Sequence, residues 1–355
     1  ANGDGKIYLN DAVTTSYYLA GKYNPSSVKS FDFDGNGIIS AMDSMKIQQY
    51  LINNIDKSEL PAPAGKDSNP TATTKTYMRH YCNSSDPASY SEYSLTVDPL
   101  DNTASNEGIS AYNYPGIIGD NDMIIDNDTA VVRMSAYSGG QLKGEGSSFI
   151  VNDHIIATAA HCIYDYKNNT FYENYYVTLK DNNNNTHCVK AKYVDICKDF
   201  STCGVKYNND HIKYDYALIY VDEDLSDYGA FQMGVALDNY TYGHGEVTVS
   251  GFPEPYYYPD EYKDAPIYLQ LKSSGNLIRS NNTNVFYDAD NGVGQSGGPV
   301  YATEEFTTSN QANPEHYSCK TVIAINVASY PNSLENIGLK ITPDILKFYN
   351  NNHNI

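Results

Sequence analysis

Three short motifs occur in a fixed order in the second half of the chain. A histidine closes "ATAAH", an aspartate precedes the apolar run of "DYALIYV", and a serine stands between glycines in "GQSGGP". The three side chains are His161, Asp215 and Ser296. A serine hydroxyl attacks a carbonyl effectively when a nearby imidazole removes its proton, and a carboxylate fixes the tautomer of that imidazole. The motifs therefore predict a nucleophile, its general base and the carboxylate that orients the base.

Each motif alone is weak evidence, because a core histidine, a glycine turn and an aspartate before a strand are common without this chemistry. Their occurrence together in one strand-rich region reverses that expectation. Asp210 competes with Asp215 for the third role, but only Asp215 directly precedes an apolar run. Gly294 adds to the pattern, because a glycine there lets its N–H lie beside that of Ser296, where both would bind an oxyanion.

Residues 115–350 resemble the chymotrypsin-like serine proteases, in which the three side chains follow one another in the same order. The segments "IIGDNDMIIDNDTAVVRMSAY", "VTVSGFPEPY" and "YDADNGVGQSGGPVY" are most similar to the glutamyl-endopeptidase branch. The resemblance implies an all-β double six-stranded barrel over residues 116–355 and a serine endopeptidase that hydrolyses proteins or peptides. The alternative is a protease-fold module that is catalytically silent, or held as a zymogen, and serves as a docked binding or structural component.

Gln295 occupies the position directly before the nucleophile. In trypsins an aspartate at this position receives the ammonium of a new N-terminus and activates the zymogen. The glutamyl-endopeptidase branch commonly has glutamine or asparagine there and does not use that switch. We therefore interpret Gln295 as a mark of the branch and not as a sign of an inactive enzyme.

The predicted specificity pocket consists of Asp290, Asn291, Asn326 and Ser329. Asp290 lies six residues before Ser296, like the pocket aspartate of trypsins, and could favour cleavage after Arg or Lys. In the glutamyl branch the corresponding carboxylate does not select basic residues. Asn326 stands where that branch has a histidine, and uncharged side chains stabilise a buried substrate carboxylate poorly. We expect uncharged or basic residues to be preferred to glutamate.

An internal repeat opens the chain. "ANGDGKIYLND" (1–11) and "DFDGNGIISAMD" (32–43) superpose when shifted by 32 residues, and each is followed by a helical pattern. Both fit a calcium loop, with oxygen side chains at alternate positions, a glycine at position 6 and a carboxylate at position 12. The predicted ligands are Asn2, Asp4, the Lys6 carbonyl and Asp11 in the first loop, and Asp32, Asp34, Asn36, the Ile38 carbonyl and Asp43 in the second. One such stretch could be a polar turn, but two copies in phase predict two Ca²⁺ sites.

Residues 1–55 resemble a dockerin domain, the small all-α calcium-binding module of cellulosome enzymes. Both loops end in aspartate, as dockerin loops do. The resemblance implies a cohesin module of a scaffoldin as partner, and a secreted protein associated with the cellulosome. By the same resemblance, the residues at loop positions 10 and 11 would contact the cohesin. These are Leu9, Asn10, Ala41 and Met42.

The chain between and around these parts is less informative. Residues 56–76 hold several prolines and small polar residues and predict an extended linker. Residues 77–115 lack strong periodicity, and a prosegment, an N-terminal wrap over the barrel and an ordered linker all stay open. The six cysteines are compatible with three disulfides, and Cys197–Cys203 is the favoured pair because the two are close in sequence.

The chain is strongly acidic, with 43 Asp and Glu against 23 Lys and Arg and a formal net charge of −20. Nucleic acids and anionic membrane surfaces would repel such a chain, so we expect neither as a partner. No apolar run approaches the roughly 18 residues that a bilayer-spanning helix needs. We therefore expect no insertion into a membrane.

Overall fold

The computed structural model describes most of the chain. The described residues are 7–22, 29–56, 60, 73–82, 86, 88–97, 117–118, 120–237, 245–309, 313–329 and 335–351. The α-helices among them are α1 Leu9–Leu19, α2 Ala41–Leu51, α3 Ala160–Ile163, α4 Lys198–Thr202, α5 Asn209–Ile212 and α6 Pro343–Asn351. None of these described helices has the length and apolar character needed to cross a lipid bilayer.

Short strands make up most of the remaining regular structure of the described residues. The strands of the first half are β1 Ile38–Ile39, β2 Thr73–Tyr81, β3 Ser91–Val97, β4 Ile124–Ile125, β5 Val131–Ser138, β6 Gln141–Ile150, β7 Ile155–Thr158, β8 Tyr164–Asp165, β9 Thr170–Phe171 and β10 Asn174–Lys180. Those of the second half are β11 Thr186–Lys190, β12 Tyr193–Cys197, β13 Ala217–Tyr220, β14 Gln232–Met233, β15 Val235–Ala236, β16 Glu246–Gly251, β17 Leu271–Ser280, β18 Asn284–Tyr287, β19 Pro299–Thr307, β20 His316–Ser329 and β21 Asn336–Lys340.

The helices α1 and α2 begin at equivalent points of the sequence repeat. Asp43 Oδ2 accepts a hydrogen bond from the backbone N–H of Ser40 at 2.8 Å, and Asp11 Oδ2 accepts one from Tyr8 at 2.8 Å. The last carboxylate of each predicted calcium loop therefore also satisfies a backbone donor at the start of its helix. The N-terminal part is thus the helical pair that the repeat predicts, with β1 as a two-residue strand between the helices.

The first large sheet has nine strands in the order β11-β10-β5-β6-β7-β13-β12-β2-β3. β10 shows how the sequence specifies it, because Tyr175, Val177 and Leu179 alternate with polar residues and point into the core. β2 and β3 form a hairpin that extends the sheet beyond β12, with β2 paired to β12 and β3 at the edge. The hairpin begins at Thr73, inside the predicted linker, and continues into the segment whose role the sequence left open.

The second large sheet closes on itself. Its strands follow the order β20-β19-β16-β17-β18-β21, and β21 pairs back onto β20 to complete a ring of six. Valines of β16 and β19, such as Val249 and Val300, fill its interior. This ring and the six central strands of the first sheet, from β10 to β12, agree with the all-β barrel architecture expected for the second part of the chain.

The N-terminal helical pair packs against the closed barrel. β1 pairs antiparallel with β15, so that Ile38 lies opposite Ala236 and Ile39 opposite Val235. Phe306 of β19 belongs to the same apolar cluster as residues of the helical pair. Of the predicted linker before β2, residues 57–59 and 61–72 lie outside the described part of the chain.

All six cysteines are free thiols in this structure. The expected Cys197–Cys203 bridge is therefore absent. The short helix α4 separates the two residues, and Cys203 Sγ lies 3.1 Å from the carbonyl oxygen of Asp199. The prediction from closeness in sequence is wrong, because the residues between the two cysteines form a helix and both thiols stay free.

Candidate active site

His161 and Asp215 are joined by two contacts. The imidazole Nδ1 of His161 lies 2.6 Å from Asp215 Oδ2, and the backbone N–H of His161 donates to Asp215 Oδ1 at 2.8 Å. The pairing of β7 with β13 brings them together, because α3 follows β7 and Asp215 precedes β13. A carboxylate only accepts hydrogen bonds, so Nδ1 carries the proton and Nε2 keeps its lone pair. Asp215 is fully buried, whereas 22% of the His161 side chain is exposed.

The surroundings raise the basicity of His161. Burial acts to lower the pKa of the imidazole, but the negative charge of Asp215 and the hydrogen bond to it prevail. The pKa of His161 therefore lies well above its usual value. The neutral imidazole that can accept a proton from a nucleophile predominates only above this raised pKa.

Tyr207 is a member of the site that the sequence did not reveal. Its hydroxyl donates a hydrogen bond to Asp215 Oδ2, and its ring stands edge-on to the imidazole of His161 with centroids 5.6 Å apart. Burial raises the pKa of Tyr207 well above its usual value, so the hydroxyl keeps its proton. In a chain with 35 tyrosines, one that lies in a loop before the aspartate carries no distinguishing sequence signal.

The turn that carries Ser296 depends on glycine. Gly297 has a φ of +84°, and a Cβ there would lie 2.2 Å from a neighbouring side-chain oxygen. The backbone N–H of Ser147 in β6 donates to the carbonyl oxygen of Ser296 at 2.8 Å, and Cys162 Sγ lies 3.6 Å from the same oxygen. Because Cys162 follows His161 directly, these contacts bring the serine turn against the turn that carries the histidine.

The peptide group between Val293 and Gly294 is oriented by one hydrogen bond. The carbonyl oxygen of Val293 accepts from the N–H of Glu254 at 2.7 Å. In a trans peptide the N–H points opposite to the carbonyl, so the N–H of Gly294 points away from that partner. Gly294 has a φ of +98°, and a Cβ there would lie 2.4 Å from the carbonyl oxygen of Phe252. Only glycine fits this backbone.

The peptide group between Gln295 and Ser296 is held in the same way. The carbonyl oxygen of Gln295 accepts from the N–H of Gly298 and from Asn326 Nδ2, each at 3.0 Å. The N–H of Ser296 therefore points to the opposite side. Among the described residues, neither the N–H of Ser296 nor that of Gly294 donates a hydrogen bond. These two donors are available to an oxyanion.

Gln295 lies fully buried beneath the serine turn. Its Nε2 donates to the carbonyl oxygen of Leu271 at 3.2 Å, and its Oε1 accepts from the N–H of Gly292 at 2.7 Å. Both ends of the neutral amide are thus satisfied by backbone groups. Gln295 carries no charge, so it needs no N-terminal ammonium as a partner.

Asp290 is turned towards the segment that precedes the barrel. Its carboxylate accepts from the N–H of Ile118 at 2.5 Å and from the N–H of Asp122 at 3.1 Å. Burial raises the pKa of Asp290 to about 6. Both carboxylate oxygens therefore bond to this segment, which argues against the interpretation that Asp290 selects Arg or Lys substrates.

The predicted pocket amides Asn291 and Asn326 contact each other. Asn326 Oδ1 accepts from Asn291 Nδ2 at 3.2 Å and from the Tyr287 hydroxyl at 2.8 Å, while its Nδ2 holds the Gln295 carbonyl. The Asn326 side chain therefore supports the serine turn. Ser329 lies farther along β20, where it is buried and opposite Asn336 of β21.

The second predicted calcium loop brings three carboxylates to one point. Single oxygens of Asp32, Asp34 and Asp43 lie within 4.8 Å of one another. Burial and the charge of Asp34 raise the pKa of Asp43 well above its usual value, which reflects carboxylates crowded together. Hard oxygen donors at this density suit Ca²⁺. Asn36 and the Ile38 carbonyl belong to the same loop, and Lys46 Nζ lies 2.9 Å from Asp34 Oδ2.

The first predicted loop is described only at its end. Asn2, Asp4 and Lys6 lie outside the described residues, and Asp11 is buried at the start of α1. The predicted cohesin contacts differ between the two copies. Leu9 and Asn10 are exposed, whereas Met42 is buried and Ala41 is half-buried.

Comparisons with known proteins match both parts of the chain. The model of the dockerin type I domain matches residues 1–52, and that of the trypsin-like peptidase domain matches residues 146–306. A glutamyl endopeptidase of Bacillus licheniformis is 25% identical over 235 residues, which cover 66% of this chain and 68% of that protein.

Solved structures also align with part of the chain. A Glu endopeptidase in complex with MPD aligns with a TM-score of 0.49 and 18% identity, over 66% of this chain and 98% of that structure. The crystal structure of Deg5 aligns with a TM-score of 0.36 and 16% identity, over 60% of this chain and 84% of its own. From the two family matches and the glutamyl endopeptidase relative, the chain carries a dockerin type I domain ahead of a trypsin-like peptidase domain of the chymotrypsin-type barrel fold, and its protease part resembles glutamyl endopeptidases.

Proposed function

We propose that this chain is a secreted serine endopeptidase that its dockerin attaches to a cohesin-bearing scaffold of the cellulosome. Ser296 is the nucleophile, His161 is the general base and then the general acid, and Asp215 orients His161. The observation that carries this proposal is the His161–Asp215 pair beside the two unused N–H groups of Gly294 and Ser296. Protease-fold proteins without activity have no need of that combination.

The proposed chemistry follows from the geometry. His161 Nε2 takes the proton of the Ser296 hydroxyl as the oxygen attacks the substrate carbonyl, and Asp215 stabilises the imidazolium that forms. The N–H groups of Gly294 and Ser296 receive the negative oxygen of the tetrahedral intermediate. His161 then gives its proton to the leaving amine, and a water molecule repeats the sequence to release the acyl group.

A direct test uses an active-site label together with a protein substrate. Wild type should react with a serine-directed phosphonate and hydrolyse casein, and Ser296→Ala should lose both reactions. Ser274→Ala is a matched control, because this exposed serine of β17 bonds to Thr248 on the barrel surface. A wild-type protein that is inert to label and casein would instead favour the silent, docked module.

The dockerin part of the proposal comprises two calcium sites and a cohesin partner. Without metal the carboxylates of each loop repel one another, and in so small a unit metal binding contributes directly to folding. Capture on immobilised cohesin should occur in calcium and disappear in excess chelator. Binding of only one calcium ion per chain would contradict the proposal of two sites.

We further propose that cleavage after glutamate is not the dominant activity. Asn291 donates to Asn326, which itself donates to the Gln295 carbonyl of the serine turn, and neither side chain offers a cation to a substrate carboxylate. An unpaired buried charge costs several kcal/mol, which corresponds to orders of magnitude in cleavage efficiency. Peptide-library profiling should show uncharged or basic residues preferred. A preference for glutamate of about tenfold or more over every other residue would contradict this.

A further inference from the structure

The second calcium loop forms part of the contact between the dockerin and the barrel. The N–H of Leu237 donates to the carbonyl oxygen of Gly37 at 2.7 Å, and β1, which directly follows, pairs with β15. Gly37 is position 6 of the loop, and Ile38 of β1 is position 7. The backbone that would surround a bound calcium ion is therefore the backbone that bonds to β15 and Leu237 of the protease part.

Glu304 of β19 contacts the same loop through its side chain. Its Oε1 accepts from Asn36 Nδ2 at 2.9 Å and from the Ser40 hydroxyl at 3.1 Å, and its Oε2 accepts from the Thr321 hydroxyl. Glu304 is buried, with 6% of its surface exposed. Asn36 and Ser40 are loop positions 5 and 9, so one barrel carboxylate fixes the side chains on both sides of the β1 segment.

This carboxylate adds a fourth negative charge to those of Asp32, Asp34 and Asp43. Like charges in a site of low dielectric repel, and a divalent cation among them reverses the sign of that interaction. Lys46 is one cation already present, through its contact with Asp34. The three hydrogen bonds that Glu304 accepts offset part of the cost of its burial, and a divalent cation in the neighbouring loop would stabilise its charge further.

We propose that Glu304 couples the second calcium loop to the docking of the dockerin on the barrel, so that calcium loading and docking strengthen each other. This inference rests on the calcium binding proposed above. Coupling is reciprocal: if calcium favours the docked arrangement, docking raises calcium affinity by the same factor. The barrel is then part of the calcium site's surroundings, and the dockerin is not an independent module on a linker.

The test compares Glu304→Gln with wild type in the full-length chain. Glutamine keeps an oxygen that can accept from Asn36 and Ser40 but removes the charge. Glu305→Gln is the matched control, because Glu305 is the next residue of β19, is exposed and accepts from Ser318 on the other face. Calcium affinity is measured by competition with a chromophoric chelator. Hydrogen exchange of residues 232–237, with and without calcium, reports docking.

We expect Glu304→Gln to weaken calcium binding by about threefold to tenfold and to reduce the slowing of exchange that calcium produces at residues 232–237. Glu305→Gln should stay within about twofold of wild type in both measurements. Equal calcium affinities for all three proteins would overturn the proposal, and so would an exchange rate at residues 232–237 of wild type that does not change with calcium.

Should Glu304→Gln fail to fold, Glu304→Asp serves instead, because it keeps the charge. Calcium should still slow exchange in that variant, and an unchanged exchange rate there would also overturn the proposal. Absence of calcium binding to wild type would instead contradict the proposed dockerin function.

Discussion

The Tyr207 hydroxyl and the His161 imidazole share one oxygen of Asp215. Oδ2 accepts the hydrogen bond of Tyr207 and lies 2.6 Å from His161 Nδ1, while Oδ1 accepts the backbone N–H of His161. The hydroxyl draws negative charge away from the oxygen that stabilises the imidazolium. Tyr207 therefore limits how far Asp215 can raise the pKa of His161, and it also holds the carboxylate in place.

Tyr207→Phe should shift the acid limb of the pH profile upward. A hydrogen bond to a charged group contributes about 1.5 to 3 kcal/mol, which limits the shift to at most about 1 to 2 pH units. Base catalysis needs the neutral imidazole, so a higher pKa of His161 moves the rise in activity to higher pH. The measurement is the rate of phosphonate labelling against pH. Tyr166→Phe is the control, since the Tyr166 ring lies 5.8 Å from that of Tyr207 in the same cluster. Equal shifts in both variants would mean that removing any hydroxyl from this cluster, and not the loss of the bond to Asp215, is responsible.

Asn326→Asp should impair catalysis more than binding. The substitution replaces the Nδ2 donor by an oxygen that faces the Gln295 carbonyl, and the peptide group that presents the Ser296 N–H loses a support. Losing one oxyanion donor costs about 10²- to 10³-fold in kcat, so a displaced one should cost at least about tenfold. Tyr287→Phe removes a donor to Asn326 Oδ1 but leaves Nδ2 in place. Its effect on kcat should be clearly smaller, and the reverse ranking would contradict the role assigned to Asn326.

Gln295→Glu should destabilise the protease part by about 2 to 4 kcal/mol at neutral pH. The new carboxylate would be buried against the Leu271 carbonyl, with no cation among its described contacts. Burial raises the pKa of such a group, so the loss of stability relative to wild type should be small at low pH and grow as the pH rises through that pKa. Urea unfolding at several pH values measures this. Gln141→Glu, an exposed change in β6, should show little effect at any pH.

Asp290→Asn should leave the preference between Lys or Arg and uncharged residues unchanged. The Asp290 carboxylate binds the backbone of Ile118 and Asp122, so its charge is directed at that segment and not at a substrate side chain. Peptide-library profiling of wild type and variant decides the matter. A large loss of cleavage after Lys and Arg in the variant would restore the trypsin-like interpretation.

Sequence alone points to the residues that belong to a local motif, because their neighbours along the chain carry the signal. The histidine, aspartate and serine motifs carry local signals, and so do the calcium loops, where alternating oxygens and a glycine fix the turn. The orientation of Asp290 could not be predicted, because it depends on where Ile118 and Asp122 lie in the folded chain. Tyr207 could not be predicted either, because nothing in its neighbouring residues distinguishes it from the other tyrosines.

The docking of the two parts was also beyond the sequence. The pairing of Ile38 and Ile39 with β15 joins residues almost 200 positions apart, and neither two-residue strand has a pattern of its own. The position of Glu304 in an alternating strand suggests an inward-facing residue, yet only the fold shows that the dockerin covers it.

The β2–β3 hairpin has a consequence for how the chain would behave when cut. Arg79 of β2 is buried and forms two hydrogen bonds with Asp195 of β12, at 2.9 and 2.7 Å, and the Tyr93 hydroxyl of β3 reaches the same carboxylate at 2.8 Å. Separating the hairpin from the sheet would leave the buried Asp195 carboxylate without Arg79, and it would expose the edge of β12 to other chains. A protease that nicked the chain between residues 98 and 116 would therefore produce two fragments that stay assembled. The barrels and the dockerin would then stay together with no covalent bond joining them.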